Sequence, residues 1–563
     1  MPTYALDDIP AEAARHLAVR LLARQAAARV ACGELSRWPD GSQAPEDVSL
    51  RAACEWDLGL FGTTFLPHVC TLPYNQVHTD YYALYRDRQG SRGHRDVVCA
   101  PRGSSKTTGC ALLHMLHTCV YRTEAFVLYV TNRAENAEQK VKQIRDELTD
   151  NPELLRVYGP QAGQPWNQAH FRTREVAGFA STTVMVGGRF SQMRGVTQRF
   201  RRPTLILADD IEHPEQVLSE IQRDRTKAWF LNDIVKLGMP QTNIEVSGTI
   251  LHPHSLLQEL LGEQWEGVAG WHGRGYQAVT QWNTSAPALW QEWRALFLDK
   301  SQAAHEARAR AFFEAHEAAM TEGAETLWPA HQDYYALMVA RLVDGEGAFW
   351  QELQNEPMGD QRYLFDMDQA AYCTVLPEGI RAPWGFVPWL SIPELAAYYD
   401  PAMGKGRDCA CCVVVAGDSS GYEYVLDAYC TNLDSPDEQA TAIADMLFQW
   451  QCLVLGVESN GFASLLTKTL REACVRRWQE AKQRWPGGLL PVTHTNNKIL
   501  RIKSLEPLIA NRWLVLNERL LHEYLRQFAE YIPIDGAGRD DAPDATEGAV
   551  AVLRGKYRKK DLV

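Results

Sequence analysis

The sequence contains no apolar run approaching the about 20 residues a helix needs to cross a bilayer. Its start, MPTYALDDIPAEAARHL, lacks the basic-then-apolar order of a secretory signal, which points to the cytoplasm of the cell that makes it. There is no internal repeat and no low-complexity tract. With 45% hydrophobic and 23% charged residues, long disorder is not expected. An excess of positive charge is also missing. Against 57 Lys and Arg stand 70 Asp and Glu, a net charge of −13, so the chain does not coat nucleic acid by bulk electrostatics. A local basic groove remains open, with Arg199, Arg201, Arg202 and the tail Arg554 to Lys560 as candidates. The 13 cysteines form no pair of CxxC knuckles, which speaks against a structural zinc site and for buried reduced thiols.

At 563 residues the chain exceeds one core and divides into two or three domains. Residues 1–70 read as a helical, Ala/Arg-rich segment without obvious chemistry. From about residue 95, short apolar runs alternate with stretches of helical period: Val97–Ala100, Phe126–Thr131, Thr183–Val186, Thr204–Ala208 and Ile244–Ser247. That alternation predicts a largely parallel sheet covered on both faces. Residues 299–325 read as one charged surface helix, and a second helical stretch follows over 331–356. A Pro/Gly/Trp-rich stretch across 379–393 marks a linker, so the first large domain is placed at 71–365, the linker at 366–392 and a second domain at 393–563. In that second domain 396–400, 409–416 and 422–428 read as three strands, followed by a helix over 436–451, a strand over 453–458 and a helix over 462–483.

Two groups of residues carry chemistry. Ala100-Pro-Arg102-Gly103-Ser104-Ser105-Lys106-Thr107 lies between a strand and a helix. Small residues there let backbone N–H groups face phosphates, Lys106 can reach the β/γ-phosphates, and Thr107 can hold Mg²⁺. About a hundred residues on, Thr204-Leu-Ile-Leu-Ala-Asp209-Asp210 is a buried strand ending in two acids. Asp209 suits the Mg²⁺ shell and Asp210 the attacking water, the arrangement of a P-loop ATPase core. Gln76 upstream is placed to read adenine. Ser247-Gly248-Thr249, ending another strand, is placed to sense the γ-phosphate. The second group is Asp400 on a strand, Glu458 closing a later strand, and Asp540-Asp541-Ala-Pro-Asp544 opening a terminal helix. Acids converging from separate elements suit two-metal phosphodiester cleavage on an RNase H-like fold, with Asp541 or Asp544 as the third ligand. Lys498, Arg501 and Lys503 precede them at helical spacing and could contact DNA phosphates.

On these residues the chain resembles the large terminase subunits of tailed bacteriophages over about residues 70 to 555. Arg102, four places before the P-loop lysine, matches a trait of that family. Arg194-Gly195 resembles its Arg-Gly segment, and Phe349 to Pro357 the segment that closes its ATPase half. Two departures stand out: Ser105 replaces the usual P-loop glycine, and Asp210 stands where many members have Glu, which leaves Asp210 and Glu212 both open as the catalytic acid. The resemblance implies an α/β chain with a P-loop (RecA/ASCE-like) ATPase domain followed by an RNase H-like α/β nuclease domain. It implies ATP and Mg²⁺, with Mn²⁺ able to substitute in the nuclease site. It further implies ATP-driven movement of double-stranded DNA into a procapsid and cutting of concatemeric DNA in the host cytoplasm. The implied partners are a portal protein, a small terminase subunit and copies of the chain itself in a ring of five, a solution monomer being compatible with this. Arg102 in cis, Arg194 or a neighbouring subunit's arginine would act on the γ-phosphate charge. The alternative is a helicase-like ATPase–nuclease of repair or recombination, which would need a second RecA-like domain where the acid triad stands.

Overall fold

The structure is a computed structural model that describes residues 45–88, 90–176, 180–189, 201–357, 363–401, 409–432, 435–458, 463–494, 496–534 and 539–555. The N-terminal Ala/Arg-rich stretch, Arg194-Gly195, Arg199 and the tail beyond Gly555 lie outside these residues. The chain forms two compact units. The first comprises residues 1–281, 325–337 and 350–358, and the second 282–324, 338–349 and 359–563. Among the described residues no helix is long and apolar enough to cross a membrane.

The first unit is built on eight strands: β1 (Arg95–Cys99), β2 (Phe126–Thr131), β3 (Ala162–Trp166), β4 (His170–Thr173), β5 (Thr183–Gly188), β6 (Leu205–Asp209), β7 (Asn243–Gly248) and β8 (His272–Gly275). Their order is β3-β4-β5-β2-β6-β7-β1-β8, and the six from β5 to β8 run parallel. Every residue of β2 and β6 is buried, which explains why they read as unbroken apolar runs. Alternate side chains serve two cores. Val98, Val127, Tyr129, Leu205 and Leu207 meet the helices Leu58–Phe65 and Leu113–Tyr121 on one face. Val97, Leu128, Val130 and Ile206 meet Phe230, Leu257 and Leu261 on the other. The P-loop strand β1 and the acid-bearing strand β6 are not neighbours; β7 lies between them, the strand order of a RecA/ASCE-like P-loop ATPase. Two short strands, β9 (Val279–Gln281) and β10 (Glu325–Thr326), form a separate antiparallel pair.

The second unit holds β11 (Ala371–Leu376), β12 (Gly379–Ala382), β13 (Gly385–Pro388), β14 (Glu394–Asp400), β15 (Ala410–Gly417), β16 (Glu423–Thr431), β17 (Val454–Glu458), β18 (Gly488–Val492) and β19 (Leu514–Asn517). The order is β13-β12-β11-β19-β16-β15-β14-β17-β18. Antiparallel β16-β15-β14 continued by parallel β17 and β18 is an RNase H-like sheet. The helix Asp541–Leu553 lies buried from residue 541 to 552. A Cβ on Gly548 would come 2.5 Å from Tyr398 Cδ1, so only glycine lets this helix pack so close to β14.

Several sequence expectations change here. The predicted linker at 366–392 contains β11, β12 and β13 instead, an antiparallel meander whose β11 pairs with β19. Its Pro/Trp/Gly composition serves a tight turn, with Gly385 at φ +142°. The charged helix expected over 299–325 is present but shorter, His305–Met320, a separate helix Pro287–Leu298 precedes it, and both fall in the second unit. The stretch expected to be helical over 331–356 breaks into Tyr334–Val343 and Glu346–Glu352 around Gly345, whose φ of +91° no helix accommodates.

Candidate active sites

The P-loop lies at the carboxyl end of β1. Gly103 and Ser105 both take positive φ, +81° and +64°. The serine where the pattern has glycine therefore sits in a conformation that disfavours a Cβ, so the departure carries backbone strain. The loop is held from the preceding helix Gln76–Asp87. Asn75 Nδ2 donates to the Ser104 carbonyl at 3.0 Å, and His78 Nε2 lies 3.4 Å from the Ser105 carbonyl. Sequence reasoning missed both residues; a helix-capping Asn-x-x-His just before the P-loop was the available signal. Gln76 itself is exposed, donating to Asp80 at 2.5 Å. Among the described residues Ser104 Oγ is buried without a hydrogen-bond partner, an open donor in the cradle.

The other residues of the group come together at the ends of three adjacent strands. Lys106 is buried and donates to Thr249 Oγ1 at 3.0 Å, with Asp210 3.9 Å away. Thr249 Oγ1 in turn donates to the Ala100 carbonyl. Asp209 accepts from Ser247 Oγ at 2.5 Å and from the Tyr129 hydroxyl at 3.0 Å, and also bonds Thr107. Burial and then the neighbouring Asp210 charge push the Asp209 carboxyl up to about 6, against the pull of Ser247, Thr107 and Lys106. Gly248 has no room for a side chain, because a Cβ would lie 2.5 Å from Leu257 Cδ1. Of the two open acids, Glu212 is occupied. Its carboxylate accepts the Leu256 and Leu257 N–H groups at 2.9 and 3.0 Å, capping the helix Leu256–Leu261. Asp210 is half-exposed beside Lys106.

In the second unit Asp400 ends β14 and Glu458 ends the adjacent parallel strand β17, each following a register pair, Tyr399 and Val457. Asp544, in the first turn of the buried helix, completes the group: one carboxylate oxygen of each residue lies within 4.8 Å of the others. Asp541 lies outside it, turned instead to accept the Cys409 N–H at 3.0 Å. Of the two acids left open as the third ligand, Asp544 is the one in the group, although Asp541 stands only three residues before it on the same helix.

Crowding three acids in a buried place is costly unless it is compensated. Burial, a hydrogen bond shared with Glu458 and the Asp544 charge raise the Asp400 carboxyl well above its usual range. Asp544 is also raised, by burial, although Lys498 and Arg501 pull it back. Lys498 Nζ lies 2.9 Å from Asp540 and 3.2 Å from Asp544, and Arg501 lies 2.7 Å from Asp544 and 2.8 Å from Glu547. Burial works against the Lys498 charge, but Asp544, Asp540 and Asp400 outweigh it and raise its pKa. Both cations therefore face the acids of this unit. Glu547 escaped the sequence reading, although it continues the helical spacing one turn beyond Asp544.

Among the described residues Asp544 Oδ1 is ion-paired with Arg501 but accepts no hydrogen bond. Three carboxylates brought together, partly balanced by Lys498 and Arg501, are an all-oxygen donor set of the kind that takes hard divalent cations. The residues present fit such ions.

Residues 397–552, which span Asp400, Glu458 and Asp544, match the family model of the terminase RNaseH-like domain. The second unit carries a terminase RNase H-like domain. Among solved structures, the chain is similar to the large terminase of a thermophilic bacteriophage at 8% identity and a TM-score of 0.47, covering 86% of this chain and 100% of that one. It is also similar to the ATPase domain of the Thermus phage P74-26 large terminase, at 12% identity and a TM-score of 0.31, covering 52% and 97% of the two chains. The nuclease domain of the bacteriophage SPP1 large terminase, solved with bound Mn, gives 15% identity and a TM-score of 0.22, covering 29% and 88%. No curated protein matches the chain.

Proposed function

We propose that the chain is a large terminase subunit with two activities: an ATPase that drives double-stranded DNA into a procapsid, joined to a metal-dependent endonuclease that cuts concatemeric DNA. The observation that carries the reading is the group Asp400, Glu458 and Asp544 inside the matched domain. Asp400, Glu458 and Asp544 would hold divalent cations, Mg²⁺ or Mn²⁺, whose chemistry is to stabilise charge on the attacking and leaving oxygens of a phosphodiester. Lys498 and Arg501 keep the acids assembled, and the buried helix Asp541–Leu553 fixes the position of Asp544.

In the first unit Lys106 and the backbone of Gly103 to Lys106 would bind ATP phosphates, and Thr107 and Asp209 the accompanying Mg²⁺. Arg102 would oppose charge on the γ-phosphate. Ser247 touches Asp209 and Thr249 touches Lys106, so their strand end can report on what those two residues hold. The proposed ligands have counterparts among the similar structures: one of the thermophilic-phage large terminase contains ADP, and the SPP1 nuclease domain contains Mn. The proposed partners are DNA, a portal protein, a small terminase subunit and further copies of the chain in a ring, in the cytoplasm of an infected host.

The test is plasmid cleavage by the full chain with Mn²⁺ or Mg²⁺, using Asp400→Ala as the matched control. Metal-dependent cutting that disappears in the variant is the expected result. A folded, metal-loaded chain that leaves the plasmid intact would remove the nuclease and with it the packaging role.

A further inference from the structure

The acid that activates water in the first unit is not settled by Asp210 and Glu212. Glu212 has both oxygens committed to the helix it caps. Asp210 is one methylene shorter than the glutamate commonly used, and its carboxylate is half in solvent beside Lys106. A third carboxylate stands at the same mouth. Glu352 ends the helix Glu346–Glu352, about 140 residues beyond the acidic strand, and its segment is fastened to the nucleotide cradle.

That fastening is specific. The Glu352 carbonyl accepts the Arg102 N–H of the P-loop at 2.8 Å, and the Leu353 carbonyl accepts the Ala278 N–H at 2.8 Å. Asn355, at φ +53°, accepts the Ile250 N–H at 2.9 Å, one residue past Thr249, and donates to the Tyr276 carbonyl at 2.7 Å. Residues 352–355 thus bridge the P-loop to the turn that ends β7. Within this frame the Glu352 side chain is half-buried, feels the charges of Arg102, Lys106 and Asp210, and makes no hydrogen bond among the described residues. A half-buried carboxylate left without a hydrogen bond among cationic groups is a kind of residue that functional sites retain.

We propose that Glu352 is the carboxylate that orients and deprotonates the water attacking the γ-phosphate. The inference rests on the reading of this unit as an ATPase. The water oxygen forms the new bond to the γ-phosphorus, and the bond from that phosphorus to the β–γ bridging oxygen breaks. The electron pair leaves on ADP, and the water proton passes to the Glu352 carboxylate. Burial, which holds the Glu352 carboxyl above its ordinary value against the pull of Arg102 and Lys106, suits it to take that proton. Asp210 then keeps Lys106 in place.

The experiment measures phosphate release and binding of ATP-γ-S by the full chain and by Glu352→Gln, Glu352→Asp and Lys106→Ala. Glu352→Gln should lower kcat by about 10² or more, with KM and analogue binding retained. Glu352→Asp, which keeps the charge but pulls it back, should show the same split to a smaller degree and guards against a misfolded glutamine variant. Wild-type turnover in Glu352→Gln beside a dead Lys106→Ala would overturn the inference and leave the ATPase standing. Loss of analogue binding together with kcat in both Glu352 variants would also overturn it, assigning the residue to the frame. Full turnover in Lys106→Ala would sink the ATPase reading itself.

Discussion

The two sites face the same difficulty, a buried carboxylate beside another acid, and meet it with different chemistry. In the first unit Asp209 is surrounded by hydroxyls: Ser247, Tyr129 and Thr107. In the second, Asp544 is held by an ammonium and a guanidinium, Lys498 and Arg501. Hydroxyl donors stabilise a carboxylate without adding charge, leaving an incoming cation the full charge of Asp209. Fixed cations neutralise part of an acid cluster in advance, so it can remain assembled before any metal arrives. The first arrangement suits a ligand that comes and goes with its own cation in every cycle. The second suits a site that waits.

The largest expected effect separates the two sites outright. Lys106→Ala should lower ATP turnover by at least about 10²-fold, the scale for removing a preorganised charge from developing phosphate charge, while plasmid cleavage persists. Asp400→Ala should do the reverse. Both activities are measured on the same two purified variants, and the loss of both in either one would mean the sites do not work independently.

Next in size is stability. Arg501→Met leaves Asp544 and Glu547, 3% and 4% exposed, without their guanidinium. Breaking a buried pair from one side costs about 3–5 kcal/mol. Ser247→Ala in the other site removes one donor to Asp209 and should cost about 1–3 kcal/mol. Urea unfolding of both variants, metal- and nucleotide-free, tests the ranking; a Ser247→Ala loss equal to or larger than that of Arg501→Met would erase the proposed difference between hydroxyl and cation.

The hydroxyl-lined site should also show a pH signature. Asp209 shifts from 3.8 up to about 6 on folding, so between those values the native chain keeps a proton that the unfolded chain has lost. Native proton binding exceeds unfolded binding there, and the Asp209 contribution to stability falls as pH rises from about 4 to 6, then stays level. Across that window Asp209→Asn should gain on the wild type by up to about 3 kcal/mol in EDTA. Unfolding curves that keep a constant gap from pH 4 to 6 would place the Asp209 carboxyl near its ordinary value.

What could be read from the sequence follows the same division. Strands such as Phe126–Thr131 are legible because burial on both faces leaves them continuously apolar, and the P-loop because its residues are contiguous. Asp400 and Glu458 stand out as acids closing apolar strands. The meander over 371–388 was hidden because Pro, Gly and Trp mark a linker and a tight hairpin alike. Glu352 and Asn355 lie in the noted segment Phe349 to Pro357, but their part in the site was hidden because their contacts to Arg102 and Ile250 are made across more than a hundred residues. Lys498 and Arg501 were noticed as cations, but spacing alone did not distinguish DNA phosphates from the Asp544 carboxylate as their partner.

The smallest expected effect concerns the pair that spacing left open. Asp541 and Asp544 sit in the same turn, both buried, yet Asp541 spends its carboxylate on the Cys409 N–H while Asp544 retains an oxygen without a hydrogen bond. Asn can still accept the Cys409 N–H, so Asp541→Asn should cost about 1 kcal/mol and leave metal-dependent cleavage intact. Asp544→Asn removes a charge from the three-acid group and should abolish cleavage along with the rise in melting temperature that Mn²⁺ gives the wild type, a rise worth about 2.7 kcal/mol at a hundredfold excess over Kd. If Asp541→Asn also lost the Mn²⁺ response, the ion would draw on both acids, and the Cys409 bond would belong only to the metal-free chain.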